Sequence, residues 1–168
     1  NGLADVEAGN RIGDLVADRV ASRLAAADAS LWGAAAQEEA AVRLGWVRLH
    51  ETSRPLLAEI EALQADLRAE GLDRIVLCGM GGSSLAPEVF AKIFHGAGTA
   101  RLILLDSTHP EAVAAAFDAG PVDRTVVIVA SKSGTTEETA CFGSRAAAAF
   151  PSERLVSITD PGSKLEQQ

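Results

Sequence analysis

The chain has 168 residues and a mass of 17.4 kDa, the size of about one domain. Apolar residues make up 48% and charged residues 23%, which is typical of a globular protein with a packed core and excludes a disordered chain. The 15 Lys and Arg residues are outnumbered by 23 Asp and Glu residues, and the formal net charge is −8. An acidic chain without a basic cluster lacks the surface that binds nucleic acid or an anionic membrane, so we expect neither partner.

The sequence also lacks the features of a secreted or membrane-spanning protein. Its apolar runs, such as Thr125 to Ala130, are much shorter than the roughly 20 residues of a spanning helix. The first ten residues include Asp5 and Glu7 and no apolar segment of a signal peptide. Cys78 and Cys141 have no second Cys or His at metal-ligand spacing, and we expect both to be reduced and buried. These features predict a cytoplasmic protein.

The two ends of the sequence predict a piece of a longer protein. The chain has no initiator Met, and it stops after Lys164 to Gln168, a stretch that resembles the first residues of a helix. A trimmed or tagged protein would have the same ends.

Residues 1–70 are predicted to form an N-terminal helical segment. Apolar residues from Leu15 to Leu24 keep helical spacing, and a second helical stretch covers Ala34 to Leu44. Trp32 and Trp46 lie at the borders of these helices. We expect both rings to pack in the core rather than to stack on a ligand.

A third helix is predicted from about Pro55 to Glu70, with one apolar stripe along it. Ser53 lies in its cap region, and Pro55 fits its first turn, where no intrahelical N–H is needed. Gly71 follows the last turn, as is usual at the end of a helix.

From residue 74 the pattern changes to short strands that alternate with helices. The runs Ile75 to Leu77, Ile103 to Leu105 and Val126 to Val129 are apolar on both faces, which is typical of buried parallel strands. The sequence therefore predicts the α/β class, a three-layer αβα doubly wound parallel sheet preceded by the helical segment, with domains at 1–70 and 71–168. The predicted strands are 74–78, 101–105, 124–130 and 154–159, and the predicted helices between them are 84–94, 110–118 and 136–150.

The loop after the first strand, here called the glycine loop (Gly79–Ser84), has the sequence Gly-Met-Gly-Gly-Ser-Ser. In doubly wound sheets, ligands bind beyond the carboxyl ends of the strands. Three glycines let backbone N–H groups approach an anion closely. Ser83 or Ser84 is expected to cap the following helix, with Pro87 in its first turn.

The loop after the third strand, here called the hydroxyl loop (Ser131–Thr136), has the sequence Ser-Lys-Ser-Gly-Thr-Thr. Four hydroxyls and one ammonium group at the start of a helix predict a phosphate site. A helix start that needed only a cap would use one or two hydroxyls. Glu137 and Glu138 follow in the first turn, where carboxylates interact favourably with the helix dipole; proton transfer is the minority interpretation for them.

The remaining polar residues carry less information. The third loop, Asp106 to His109, has the composition of an ordinary helix cap before Pro110. His50, His95 and His109 fall in different elements without metal-ligand spacing. We therefore expect no metal and no other cofactor.

A dinucleotide-binding fingerprint is only partly present. Gly79-x-Gly81 begins it, and Asp106 ends the second strand about where a ribose-binding acid belongs. Its sixth position, however, is Ser84, and the fingerprint gives no reason for the hydroxyl loop, so a nicotinamide-dependent dehydrogenase is a minor alternative. No Gly-Lys-Ser/Thr closes either loop as in a P-loop, and Leu85 replaces the final Gly of a nucleophile elbow.

Together the two loops resemble the two signatures of the glucose-6-phosphate isomerase family. The matching segments are Gly79 to Pro87 and Ser131 to Thr139, in that order. The sequence looks most like the bacterial members, stand-alone or fused behind a transaldolase, and the similarity runs from about residue 20 to the end. Ser133-Gly134 departs from the Thr-Phe of the eukaryotic-type pattern. The resemblance implies a sugar isomerase (SIS) domain that is truncated at its C-terminal end.

The resemblance also implies an activity, the interconversion of glucose 6-phosphate and fructose 6-phosphate through ring opening and a cis-enediol. It implies no cofactor and a homodimer formed by the parent protein. Glu138 matches a family position that orients a ring-opening histidine. The residues that match positions for the phosphate and the sugar are Gly82, Ser83, Ser131, Lys132, Ser133 and Thr136.

In that family the proton-abstracting Glu, an Arg, a His and a Lys lie further along the chain, and their motifs do not occur in these 168 residues. We therefore expect the chain to bind sugar phosphate weakly and not to turn it over. Two alternatives stay open: a non-catalytic SIS-type module that senses sugar phosphates, and an isomerase domain that acts on amino-sugar phosphates.

Overall fold

The structure of the chain is a computed structural model that describes residues 8–94 and 100–167. The chain divides into two compact units, Asn1–Ala62 and Leu63–Gln168. The domain border predicted from the sequence at residue 70 stays a prediction. Within the described ranges, every helix is too short or too polar to cross a bilayer.

Short helices and 3-10 turns make up the first unit. The helix predicted around Leu15 to Leu24 is divided into α1 (Ala8–Ala17) and α2 (Val20–Ala25). Arg19 between them has a φ of 51°, and a residue in the left-handed conformation cannot continue a right-handed helix. The other elements are α3 (Gln37–Arg43), α4 (Leu49–Thr52) and the 3-10 turns Ala29–Trp32, Ala34–Ala36 and Leu44–Arg48.

Asp28 holds the turn that follows α2. Its carboxylate accepts hydrogen bonds from the Ser30 hydroxyl (2.6 Å), the Ser30 backbone N–H (2.9 Å) and Nε of Arg23 (2.6 Å). The Ser30 hydroxyl and then Arg23 stabilise the charged form, which lowers the pKa of Asp28 to about 2. Polar bonds at the surface therefore define this turn.

The prediction that Trp32 and Trp46 pack in the core is wrong. Their exposed fractions are 54% and 60%, whereas Leu44 is buried. Both rings belong to 3-10 turns, in which successive side chains point about 120° apart. Trp46 therefore points away from the side that Leu44 buries, and Trp32 away from half-buried Leu31.

Helix α5 (Leu56–Ala69) confirms the third predicted helix and its ending. Gly71 has a φ of 77°, its N–H donates to the Arg68 carbonyl, and the Leu72 N–H donates to the Leu67 carbonyl. This pair of bonds is the Schellman motif, which satisfies the last carbonyls of the helix. The predicted apolar stripe is largely exposed to solvent, with no buried residue in α5.

The second unit is an α/β fold with a four-stranded parallel sheet flanked by helices, as predicted. The strand order is β2-β1-β3-β4, and every neighbouring pair is parallel. The strands are β1 (Arg74–Gly79), β2 (Arg101–Leu105), β3 (Thr125–Ala130) and β4 (Leu155–Ile158), and the crossover helices are α6 (Gly82–Ile93), α7 (Pro110–Phe117) and α8 (Glu137–Ala149).

The core lies between the sheet and the pair α7 and α8. Alternate strand residues, among them Val76 and Val127, are buried there with Phe117 and Phe142. The rings of Phe117 and Phe150 are 6.0 Å apart, which joins α7 to the end of α8. Helix α8 packs on β1 and β3, and it is the helix that begins at the hydroxyl loop.

The two cysteines are free but only one is buried. Burial in β1 raises the pKa of the Cys78 thiol to about 12, so this thiol stays protonated at neutral pH. Cys141 is exposed, and the prediction that it is buried is wrong. It lies two residues after buried Thr139 on α8, about 200° around the helix and so on its outer side.

Candidate functional site

The glycine loop and the hydroxyl loop meet at one edge of the sheet. They leave the carboxyl ends of neighbouring strands, where Gly79 pairs with Ala130. Between them lies an open pocket of about 550 Å³. Its lining includes all six residues predicted to bind phosphate or sugar, and it also includes Met80, Ala130 and Thr139.

The pocket sits where the direction of the chain through the sheet reverses. From β1 the chain moves to β2 on one side, and it then crosses back past β1 to β3 on the other side. In open parallel sheets the crevice at such a switch point is where ligands bind, because the two flanking loops turn away from each other. The topology thus places the two loops of interest around this crevice.

Backbone geometry shapes the glycine loop. A Cβ on Gly79 would lie 3.1 Å from the Ser83 Cβ and 3.3 Å from the Ala130 carbonyl oxygen, so a side chain here would push the loops apart. Gly81 has a φ of 55°, which favours glycine. The two glycines let the chain turn from β1 into α6 within two residues.

The predicted cap of α6 by Ser83 or Ser84 is wrong. The helix begins earlier, at Gly82, and its N-cap residue is Gly81, which has no side chain to donate or accept. The buried Ser84 hydroxyl instead donates to the Gly81 carbonyl at 3.0 Å. The early start also places Pro87 in the second turn rather than in the predicted first turn. The N-terminus of α6 therefore has no side-chain cap.

Hydroxyl-to-hydroxyl bonds shape the hydroxyl loop. Ser131 Oγ donates to Thr136 Oγ1 (3.2 Å) and accepts from the Gly134 N–H (3.2 Å). Ser133 Oγ and Thr135 Oγ1 are bonded to each other at 2.9 Å. Each bond uses the proton of one hydroxyl, so the other hydroxyl of the pair still has a proton to donate to another partner. In the first pair Ser131 is the donor, and the free proton is therefore that of Thr136.

These hydroxyls do not cap α8. Its N-cap residue is Thr136, and the Thr136 side chain makes no capping bond. The first N–H groups of a helix have no partner within it and carry the positive end of the helix dipole. The arrangement leaves amide donors, two hydroxyl protons and the Lys132 ammonium group around one opening. It has the chemistry of an anion site.

A distant segment supports the hydroxyl loop. The Asp160 N–H donates to the Lys132 carbonyl (3.0 Å), and the Ser131 N–H donates to the Ile158 carbonyl (3.0 Å). A Cβ at Gly134, where φ is 66°, would lie only 2.7 Å from the backbone N of Leu165. Gly134 therefore provides both a left-handed turn and the space for the last residues of the chain to pack. No pattern near Gly134 in the sequence indicates this contact.

The charged residues near the pocket are few. Lys132 is exposed, and no ion pair among the described residues involves it. Glu137 and Glu138 occupy the first turn of α8, but neither lines the pocket. The role predicted for Glu138 stays a prediction. The pocket has one cation and, in the described lining, no carboxylate.

Thr139 is a pocket residue that sequence reasoning did not select. It is 2% exposed, and its Oγ1 has no hydrogen-bond partner. A buried hydroxyl without a partner costs roughly 1–3 kcal/mol. The Ser/Thr-rich composition of the loop predicts a site at residues 131–136, whereas nothing in the sequence distinguishes Thr139 from an ordinary residue of the following helix.

The third loop has the cap role that its composition predicts. Nδ1 of His109 accepts from the Glu111 N–H at 3.3 Å and caps α7. His50 lies in α4, and His95 lies outside the described residues. In the part of the chain that the structure describes, no three His, Cys, Asp or Glu side chains are grouped to hold a metal ion.

The fold is similar to that of two solved structures. One is a glucose-6-phosphate isomerase from Chlamydia trachomatis, with 26% identity and a TM-score of 0.53 over 64% of this chain and 23% of that chain. The other is a hypothetical protein from Thermus thermophilus, with 26% identity and a TM-score of 0.66 over 94% of this chain and 36% of that chain. The chain thus spans about a quarter and about a third of their lengths. No protein-family model and no curated protein matches it.

Proposed function

We propose that this chain is the sugar-phosphate-binding part of a glucose-6-phosphate isomerase. The observation that carries the proposal is the meeting of an uncapped helix N-terminus, two unpaired hydroxyl protons and Lys132 around one pocket at the switch point of the sheet. The similarity of the fold to a glucose-6-phosphate isomerase chain also supports this proposal. In addition, the two loops that form the pocket carry the segments that resemble that family.

In this proposal the hydroxyl loop holds the phosphate. The dianion lies at the N-terminus of α8, where helix N–H groups and the hydroxyls of Ser133 and Thr136 donate to it. Ser131 positions Thr136, because its own proton is already given to that side chain. Lys132 adds a point charge from the solvent side. Gly82 and Ser83 contact the sugar from across the pocket.

The same geometry supports binding without turnover by the chain alone. Moving a proton between C2 and C1 of the sugar requires a base within hydrogen-bond reach of both carbons. The described lining of the pocket holds no carboxylate and no imidazole. Glu138, in the first turn of α8, is assigned only the orienting role that the resemblance implies. In this proposal isomerisation belongs to the parent protein, and its base comes from outside the described lining of the pocket.

Calorimetric titration with inorganic phosphate and with glucose 6-phosphate tests the site. We expect the double variant Ser133→Ala, Thr136→Ala to lose at least tenfold in affinity for both ligands, because hydrogen bonds to a charged group are strong. Ser144→Ala is the matched control. It removes a hydroxyl from the exposed side of the same helix, where Ser144 donates only to the Ala140 carbonyl. Equal affinity of the double variant and the control would overturn the assignment of the loop.

A coupled assay that follows glucose 6-phosphate formed from fructose 6-phosphate tests the missing base. We expect no turnover by the 168-residue chain and turnover by the parent protein. Loss of a positioned base costs about 10²–10⁴-fold by itself. Activity of the chain within about tenfold of the parent would place the base among these residues and contradict the assignment.

A further inference from the structure

The unpartnered hydroxyl of Thr139 is a feature of the pocket that phosphate binding alone does not use. Thr139 is the third residue of α8 and is buried, yet its Oγ1 has no partner. A threonine inside a helix usually donates to the carbonyl three or four residues before it. For Thr139 these carbonyls belong to Thr136, which already accepts from the Ala140 N–H, and to Thr135, which lies outside the helix.

The position of Thr139 on α8 points its side chain to the inner end of the pocket. Gly143, one turn later, lies against Val129 of β3, so this side of the helix faces the sheet. Side chains in a helix tilt toward its N-terminus, which here is the pocket. Met80 and Ala130 line the pocket beside it and supply apolar surface.

We infer that the Thr139 hydroxyl is a further ligand contact, which bonds to an oxygen of the sugar rather than to the phosphate. The inference rests on the proposed function. Thr139 is three residues beyond the N-cap Thr136, roughly 4.5 Å along the axis of α8. A phosphate at the helix N-terminus is held by the groups before Thr139, so in the proposed complex this buried hydroxyl is left for the atoms next to the phosphate ester. The apolar surface beside it suits the carbon chain of the sugar.

Thr139→Val and Thr139→Ser separate the hydroxyl from the shape of the side chain. Valine has nearly the same shape without the hydroxyl, and serine keeps the hydroxyl. We expect Thr139→Val to raise the dissociation constant for glucose 6-phosphate roughly three- to tenfold and to change that for inorganic phosphate less than about twofold. Thr139→Ser should restore sugar-phosphate affinity to within about twofold. The thermal midpoint of Thr139→Val should be unchanged or higher, because no bond within the protein is lost.

The possible results of titrating the full 168-residue chain distinguish this inference from the proposed function. Unchanged sugar-phosphate affinity in Thr139→Val, with wild-type binding of both ligands intact, would overturn the inference and leave the phosphate site standing. Equal losses for both ligands together with a lower thermal midpoint would make Thr139 a structural residue and also overturn it. No binding of either ligand by the wild-type chain would overturn the proposed function and the inference with it.

Discussion

The two loops that line the pocket reach the same edge of the sheet by different means. The glycine loop needs only two residues between β1 and α6, and its path depends on positions without side chains, Gly79 and Gly81. The hydroxyl loop spans six residues between β3 and α8 and depends on bonds between side chains. It also depends on the last residues of the chain, which pack against Gly134.

The glycine loop is therefore shaped by nearby residues, whereas the hydroxyl loop is also held by residues far along the sequence. The hydrogen bonds described for the glycine loop stay within the loop and the first turn of α6, and the close approaches to Gly79 come from Ser83 and Ala130. The hydroxyl loop accepts and donates backbone bonds with Ile158 and Asp160, which lie far along the sequence. The glycine loop should therefore tolerate changes elsewhere in the chain, and the hydroxyl loop should not.

The largest expected effect is that of Gly134→Ala. The new Cβ would lie 2.7 Å from the Leu165 backbone N, and an L side chain is strained at a φ of 66°. We expect the free energy of unfolding in urea to fall by about 2–4 kcal/mol, with a loss of phosphate binding in the fraction that stays folded.

Gly143→Ala is the control for this change. It adds the same methyl group to α8, where the nearest atom is Val129 Cγ1 at an ordinary 3.8 Å. Alanine favours a helix interior, so we expect this variant to be as stable as the wild type or up to about 1 kcal/mol more stable. Similar stabilities of the two variants would show that the end of the chain does not support the hydroxyl loop.

Much of the second unit was predictable because its signals are local. Runs of β-branched and other apolar residues mark the buried strands, and glycines and hydroxyls mark the turns into the helices, so the bounds of most elements agree within about two residues. The meeting of the two loops also follows from the sequence, since parallel strands place their carboxyl ends at one edge.

The errors arise where a distant or three-dimensional condition decides the outcome. The burial of Trp46 depends on the direction of a 3-10 turn, and the roles of Gly134 and Thr139 depend on which atoms approach them. The predicted cap of α6 is wrong because a serine at the start of a helix usually caps it, whereas here the helix begins before the serines. The residue type indicates which conformation or role a residue favours, and packing with distant residues decides whether that role occurs.

A smaller effect is expected from removing the charge of the hydroxyl loop. Lys132→Met should weaken binding of inorganic phosphate roughly tenfold at low ionic strength, because an exposed ammonium group contributes a charge-assisted contact. The loss should shrink as salt is added, since screening weakens the wild-type contact. Lys164→Met, which removes the same charge at an exposed residue outside the pocket lining, should change affinity less than about twofold. Parallel salt dependences of wild type and Lys132→Met would exclude Lys132 from the site.

The smallest expected effect concerns the glycine loop and tests the comparison most directly. The Ser83 hydroxyl lines the pocket, and no hydrogen bond among the described residues uses its Oγ. If this loop binds mainly through its backbone, Ser83→Ala should weaken glucose 6-phosphate binding only about threefold and change the stability by less than about 0.5 kcal/mol. Ser133→Ala should weaken glucose 6-phosphate binding more, roughly tenfold, because Ser133 also accepts from the Thr135 N–H (3.2 Å) and its loss loosens the loop.

A larger loss of affinity for Ser83→Ala than for Ser133→Ala, measured in the same titration, would mean that the glycine loop binds through its side chain. The two loops would then share one mode of binding, and the contrast between a backbone site and a side-chain site would be wrong.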